Sequence, residues 1–178
     1  LPRIELATGG GIAKFAEGSG MKDLAALLKY AEQFRSLHTS FTQANNRAPH
    51  KFILLYSLCL LYESGSLHTE KIDFSDTLLE EWQAIFRQQW QRWVANAYHQ
   101  ENFGMPLYHM RTEPFWYFCV KPGMEDAFEQ KNRMKALSSL RQTVSGVEID
   151  ALLARLLRQA ETRVVLQDVL LAQLFEIL

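Results

Sequence analysis

The chain has 178 residues, 48% of them hydrophobic and 22% charged, which is typical of a globular protein with a full apolar core. Its formal net charge of −1 excludes a uniformly basic surface for nucleic acid, although a local basic patch stays possible. No stretch is apolar and long enough to span a membrane, and no secretory pattern opens the chain, so we expect a cytoplasmic protein. Neither Cys59 nor Cys119 has a partner at metal-binding spacing, which predicts two reduced, buried thiols.

The first twenty residues differ in character from the rest. They contain two glycine clusters and end in Gly-Ser-Gly directly before Met21. We therefore interpret residues 1–20 as a leader or linker and residues 21–178 as the folded domain.

Three helices are predicted in the first half of the domain. Apolar residues recur at helical spacing over residues 22–41, and a polar connector follows at 42–48. Pro49 suits the first turn of the next helix and Gly65 its C-terminal end, and the body between them is apolar on nearly all sides. Ser75 opens a third helix that extends to about residue 98. The second helix is the one we expect at the centre of the core.

The second half mixes short elements of both kinds. Aromatic and β-branched residues predict two strands at 107–111 and 115–120, which we expect to form a hairpin around a proline turn. A short helix is predicted at 134–141, a turn into a helix start at 143–150, and one or two helices over 150–177. The predicted fold class is therefore mainly α (α+β), a helical domain with one small antiparallel β-hairpin.

Catalytic and metal-binding patterns are missing from the sequence. The five histidines are dispersed, without the helical spacing or nearby carboxylates of a metal site; they are His38, His50, His68, His99 and His109. No phosphate-binding glycine loop, nucleophile elbow or nuclease pattern occurs. We predict a domain that is not an enzyme and has no metal and no small-molecule cofactor.

Cations and aromatic residues cluster in the same part of the chain. Between Glu129 and Glu148 the sequence has four cations and no acid; these are Lys131, Arg133, Lys135 and Arg141. The aromatic residues precede them and are Phe103, Tyr108, Phe115, Trp116, Tyr117 and Phe118. Such cations are often only solvated and such aromatics are often core, but a basic loop beside an aromatic element also suits a phosphate backbone.

Two stretches resemble a known family. Residues 48–90, APHKFILLYSLCLLYESGSLHTEKIDFSDTLLEEWQAIFRQQW, resemble the pattern "APHRPLLLL…L…G…N.I.…L…F..YW". Residues 105–118, MPLYHMRTEPFWYF, are similar to the "YPF..L…GFW" segment that follows it in the same family. The family is the sulfur-binding domain of phosphorothioate-dependent HNH restriction endonucleases, and the resemblance covers the chain from about Lys22 onward.

The resemblance implies binding to double-stranded DNA in which sulfur replaces a non-bridging phosphate oxygen. It also implies an HNH nuclease domain elsewhere in the full-length protein, as part of bacterial host defence by restriction. The family's "PHR" and "YP" steps match Pro49–Lys51 and Met105–Pro106, which implies a sulfur pocket formed by His50, Lys51, Met105, Pro106 and His109. By position, the implied DNA-binding residues are Arg47, Arg111, Lys131, Asn132, Arg133 and Lys135.

The departures from the family pattern have physical consequences. Met105 replaces an aromatic residue but is itself apolar and polarizable, whereas Lys51 lacks the planar fork of the arginine it replaces. The residues alone also leave two other classes open. One is a general DNA-binding or protein-interaction helical module without sulfur dependence, and the other is a catalytic domain of unfamiliar type.

Overall fold

The computed structural model describes residues 10–40, 47–96 and 98–178, with side chains from residue 20 onward. Most of the predicted connector at 42–48 and the first nine residues of the predicted leader lie outside these ranges. The helices are α1 (Gly10–Arg35), α2 (His50–Ser64), α3 (Asp76–Trp93), α4 (Gly104–His109), α5 (Glu125–Phe128), α6 (Leu137–Thr143), α7 (Ala151–Arg158) and α8 (Ala160–Ile177). The strands are β1 (Lys71–Asp73), β2 (Trp116–Val120) and β3 (Val144–Ile149).

Helix α2 lies at the centre of the core, as its apolar sequence predicts. Phe52, Ile53 and Leu54 have essentially no exposed surface, and the helix packs against α3, α4, α7 and α8. Pro49 precedes its first residue, and Gly65 ends it with a φ of 80°, a left-handed conformation that glycine adopts without steric cost. Both predicted boundaries of this helix are confirmed.

Helix α3 covers one side of this core. Ser75 caps it by accepting a hydrogen bond from the backbone N–H of Leu78, as predicted. Its buried residues follow helical spacing and are Leu79, Trp82, Phe86 and Trp90. The helix ends at Trp93, five residues before the predicted end.

The three strands form an antiparallel sheet in the order β1-β3-β2. Strand β3 is central and pairs Val147 with both Ile72 and Phe118. Gly146 permits the close approach of β1, since a Cβ at that position would lie 2.4 Å from the carbonyl oxygen of Ile72. The mainly helical class with a small antiparallel β element is thus confirmed.

The predicted hairpin is corrected by this sheet. Residues 107–111 are helical, in α4 and in a 3-10 helix at Met110–Thr112, so the strand β2 has no hairpin partner before it. Its partner is β3, whose residues we expected to form a turn into a helix start. Short apolar runs have no decisive periodicity, which explains both errors. Cys119, predicted to be buried, lies exposed on β2.

Helix α1 contains a break close to the predicted domain boundary. Gly20 has a φ of 75° and a ψ of 166°, which are not helical values. The segment after this break packs on α7 and α8 and buries Leu27, Tyr30 and Phe34. None of the helices in the described part of the chain has the length and hydropathy needed to cross a membrane.

Candidate functional site

A cavity of about 650 Å³ opens where the start of α2 faces α4. Its wall includes all five residues expected in the sulfur pocket, namely His50, Lys51, Met105, Pro106 and His109. Segments more than fifty positions apart in the sequence therefore meet at one site, because α2 and α4 pack against each other. The remaining wall comes from residues 38–40 after α1, from Ala48 before α2, from residues 100–102 before α4 and from Thr112.

His50 forms part of the wall as a neutral imidazole. Its ring packs 4.6 Å from the Trp90 ring, and its Nε2 lies 2.8 Å from the carbonyl oxygen of Gln100, to which it donates in the matching tautomer. Burial lowers the pKa of His50, and the neighbouring His99 adds to this effect. The ring therefore presents an uncharged surface to the cavity at neutral pH.

Lys51 differs from its expected role as an open cationic wall. The residue is only 5% exposed, and its Nζ donates to Glu113 Oε1 at 2.7 Å and to Thr112 Oγ1 at 3.1 Å. Burial is the main cause that lowers the pKa of Lys51, and the hydrogen bond that Lys51 donates to Glu113 opposes the shift. The charge of Lys51 is thus compensated within the protein, which revises the expectation drawn from sequence.

Met105 and Pro106 form the apolar side of the cavity. Met105 is 38% exposed, whereas Pro106 is buried. The backbone N–H of Met105 donates to Asn102 Oδ1 at 2.9 Å, which holds the first turn of α4 in place. An apolar thioether is therefore accessible to a group that enters the cavity.

His109 connects the cavity to the basic part of the molecule. Its ring is half-buried, and burial is the largest cause of its lowered pKa. The remaining causes are nearby positive charges, which belong to Lys51, Arg111, Lys131 and Lys135. Three cations of the expected DNA-binding set are thus near enough to lower the pKa of His109, namely Arg111, Lys131 and Lys135.

The expected base-reading loop forms an exposed rim beside the cavity. Residues 131–135 are consecutive turns between α5 and α6, and Lys131, Asn132, Arg133 and Lys135 are exposed there while Met134 is buried. The loop rests on the start of α4, since a Cβ on Gly104 would lie 3.1 Å from the carbonyl oxygen of Lys135. We name Lys131, Arg133 and Lys135 the basic rim. Within the described residues, no carboxylate lies within 4.0 Å of their charged nitrogens.

Arg111 has partners inside the protein as well as a place near the rim. Its guanidinium packs 4.7 Å from the centre of the Tyr108 ring, and its Nη1 lies 3.1 Å from Glu129 Oε2. Its side chain is 19% exposed. Arg111 can therefore contact a phosphate only through the small part of its side chain that reaches the surface.

Arg47 has a structural role instead of the expected contact with DNA. Its guanidinium donates to Thr39 Oγ1 at 2.7 Å, to the carbonyl oxygen of Leu37 at 2.8 Å and to Gln173 Oε1 at 3.3 Å. It also packs 4.9 Å from the Phe52 ring. These bonds join the segment before α2 to the segment after α1 and to α8, so the guanidinium of Arg47 is engaged within the protein.

Sequence reasoning missed the carboxylate behind the cavity. The Glu113 side chain is 1% exposed and accepts hydrogen bonds from Lys51 Nζ and, at 2.9 Å, from the backbone N–H of His38. It is the only acid between Glu101 and Glu125, within an aromatic, apolar stretch. An isolated carboxylate in such a stretch is a usable signal, because buried acids need a charged or hydrogen-bonding partner.

The comparisons with known proteins add no family assignment. Neither a protein-family model nor a curated protein matches this chain. Among the residues that the structure describes, no group of three or more His, Cys, Asp and Glu side chains is arranged to hold a metal ion.

Proposed function

We propose that this domain binds phosphorothioate-modified double-stranded DNA and seats the sulfur atom in the cavity between α2 and α4. The observation that supports this best is the meeting of His50, Met105, Pro106 and His109 in one cavity beside the basic rim. The cavity wall also includes Glu101, whose carboxylate lies 3.7 Å from Arg87 Nε. A partly apolar pocket whose charged groups are paired, next to exposed cations, suits an anion with one soft, weakly hydrated atom. The proposal rests also on the two motifs that resemble the sulfur-binding family.

Sulfur selectivity follows from what the cavity wall offers. The Met105 thioether and the Pro106 ring donate no hydrogen bonds, so an ordinary phosphate oxygen facing them would lose hydration that these two side chains do not replace. Sulfur is larger and less strongly hydrated, and burying an apolar surface of methyl size contributes on the order of 1 kcal/mol. The difference between the two atoms then amounts to a few kcal/mol at most.

The rest of the affinity comes from outside the pocket. Lys131, Arg133 and Lys135 are exposed cations that can neutralise phosphates in a salt-dependent manner, and Arg111 adds a smaller contact. Asn132 lies between two of these cations and carries both donors and acceptors for base edges. We propose that the pocket reads sulfur, the basic rim sets position on the backbone, and the loop at 131–135 reads sequence.

The proposal assigns recognition, and not catalysis, to this chain. DNA cleavage belongs, on this view, to an HNH nuclease domain of the full-length protein, which acts in the bacterial cytoplasm as part of a restriction system. The domain itself requires no cofactor. Incubation of the domain with modified DNA and Mg²⁺, Mn²⁺ or Ni²⁺ checks this, and metal-stimulated cleavage would contradict the assignment.

The direct test compares duplexes that differ in one atom. A library with a single phosphorothioate between randomised flanking bases, and a twin library with ordinary phosphate, are each titrated with the protein by fluorescence anisotropy. Stereochemically separated linkages are included. We expect the protein to bind the sulfur library more tightly than the phosphate library. Equal affinity for the two libraries, with either stereoisomer, would refute the proposal.

A substitution pair then tests the position of the pocket. Met105→Gln keeps the side-chain length but places an amide where the thioether was, so we expect the sulfur-to-oxygen affinity ratio to fall about fivefold, or roughly 1 kcal/mol. Met124→Gln is the matched control, since Met124 is 37% exposed, close to the 38% of Met105, and lies outside the cavity. An unchanged ratio in Met105→Gln would place the sulfur elsewhere.

A further inference from the structure

The ion pair behind the cavity makes the floor of the pocket neutral. Lys51 and Thr112 both contribute to the wall, while Glu113 lies directly behind them. The ammonium and the carboxylate are 2.7 Å apart and almost fully buried, so their charges compensate each other. A group in the cavity meets a local dipole instead of a full positive charge.

Lys51 nevertheless keeps some capacity toward the cavity. An ammonium has three N–H donors, and within the described residues two acceptors engage it, namely Glu113 and Thr112. The third donor is available to a group that enters. The net charge that an entering group meets at this donor depends on Glu113, because its carboxylate is in direct contact with the ammonium and offsets the positive charge.

Glu113 itself is fixed from two sides. Its Oε1 accepts the backbone N–H of His38 at 2.9 Å, and its Oε2 lies 3.4 Å from His38 Nδ1. His38 also lines the cavity. The carboxylate therefore cannot turn away from Lys51 without losing a hydrogen bond in a buried place.

We propose that Glu113 is a positioning residue that sets sulfur selectivity by compensating the charge of Lys51. A free ammonium at the pocket floor would attract an ordinary phosphate oxygen, the harder and more strongly hydrated anion, more than it attracts sulfur. The carboxylate removes this attraction, so the preference for sulfur over oxygen is set by the apolar wall. This inference rests on the proposed function and adds to it a residue that makes no contact with DNA.

The test removes the charge and keeps the shape. In Glu113→Gln the amide oxygen still accepts from Lys51 and His38, whereas the negative charge is lost. Because the pKa of Lys51 falls further without Glu113, binding is measured at several pH values. Where the pH is low enough to keep Lys51 protonated, we expect affinity for the duplex with ordinary phosphate (the oxygen duplex) to rise and the sulfur-to-oxygen ratio to fall about tenfold. The salt dependence of oxygen-duplex binding becomes steeper by about one counterion, which a purely structural role of Glu113 would not produce.

Two controls separate this effect from general electrostatics. Glu129→Gln also removes one negative charge, but at an exposed position paired with Arg111, so it should strengthen binding of both duplexes and leave their ratio unchanged. The double variant Lys51→Met, Glu113→Gln removes both buried charges, and in it the ratio should return toward that of the wild type. Glu113→Asp, which keeps the charge, should retain the selectivity.

The outcomes distinguish the two proposals. If the wild type does not prefer sulfur, the proposed function fails and this inference fails with it. If the wild type prefers sulfur but Glu113→Gln keeps the ratio within twofold, this inference alone is refuted. Should Glu113→Gln not fold by circular dichroism, Lys51→Met is used instead: it leaves the Glu113 carboxylate uncompensated, so affinity for the ordinary-phosphate duplex should fall more than affinity for the sulfur duplex, and an unchanged ratio refutes the inference.

Discussion

At the scale of residues, burial disfavours the charged form of three histidines in or beside the cavity wall. His50, His99 and His109 each have a lowered pKa with burial as the largest cause. The folded protein therefore binds fewer protons than the unfolded chain just below the ordinary histidine range near 6.5. Stability is accordingly full above that range and falls as the pH decreases through it toward the lowered values.

This residue-scale effect gives a measurable pH dependence. We expect the free energy of unfolding to decrease between about pH 7 and pH 5, by at most about 1.4 kcal/mol per pH unit for each histidine. His50→Gln should reduce this slope, as measured by urea unfolding at several pH values. His68→Gln, at an exposed position, is the control. Asp168, whose pKa is raised by burial, acts in the opposite direction nearer the carboxyl range. An identical slope in His50→Gln and the wild type would contradict this account.

At the scale of elements, the sheet depends on one close approach. Strand β3 lies between β1 and β2, and Gly146 faces the backbone of Ile72 where a Cβ would overlap the carbonyl oxygen. A larger residue there must displace β1, since backbone atoms cannot move away as a flexible side chain can. Strand β1 (Lys71–Asp73) has only three residues and lies at the edge of the sheet, where it pairs with β3.

Gly146→Ala adds only one methyl group, but we expect it to destabilise the domain strongly because that group would overlap the carbonyl oxygen of Ile72. We expect a loss of roughly 2–3 kcal/mol in the free energy of unfolding, because overpacking against fixed backbone is costly. Ser145→Ala on the same strand is the matched control, since Ser145 is exposed, and it should change stability by about 0.5 kcal/mol or less. Denaturant unfolding measures both, and equal stabilities would show that β1 adjusts freely.

At the scale of the whole molecule, the segment of α1 after its break belongs to the core. Gly20 interrupts the helix, and Leu27, Tyr30 and Phe34 in the following segment are buried against the C-terminal helices. The predicted domain boundary at Met21 coincides with this break. The boundary stays a prediction that truncation can test.

Removal of residues 1–20 should leave the domain folded. We expect an unchanged melting temperature within about 2 °C and unchanged DNA affinity, measured by differential scanning fluorimetry and anisotropy. Removal of residues 1–30 is the contrasting variant, because it takes Leu27 and Tyr30 from the core and should abolish cooperative unfolding. A large loss of stability in the shorter truncation would place the start of the domain before Met21.

The sequence alone determined the elements whose signals are local. The helical body of α2 between Pro49 and Gly65, the capped start of α3 at Ser75 and the strand around Trp116 are each specified by neighbouring residues. Periodicity and capping act over a few positions, so a single sequence suffices for them. The five pocket residues came from two motifs, and the structure places all five at one cavity.

Only the tertiary structure decided what depends on distant partners. Strand β3 forms by pairing with β1 and β2, so that Glu148 lies opposite both Lys71 and Tyr117. The residues near position 148 do not indicate either pairing. Lys51 can be buried because Glu113, 62 positions later in the chain, accepts a hydrogen bond from its ammonium and offsets its charge. Cross-strand pairing and charge compensation are set by distance in space. The sequence therefore predicted five residues that the fold brings to one cavity, and the fold determined which of their charges are compensated.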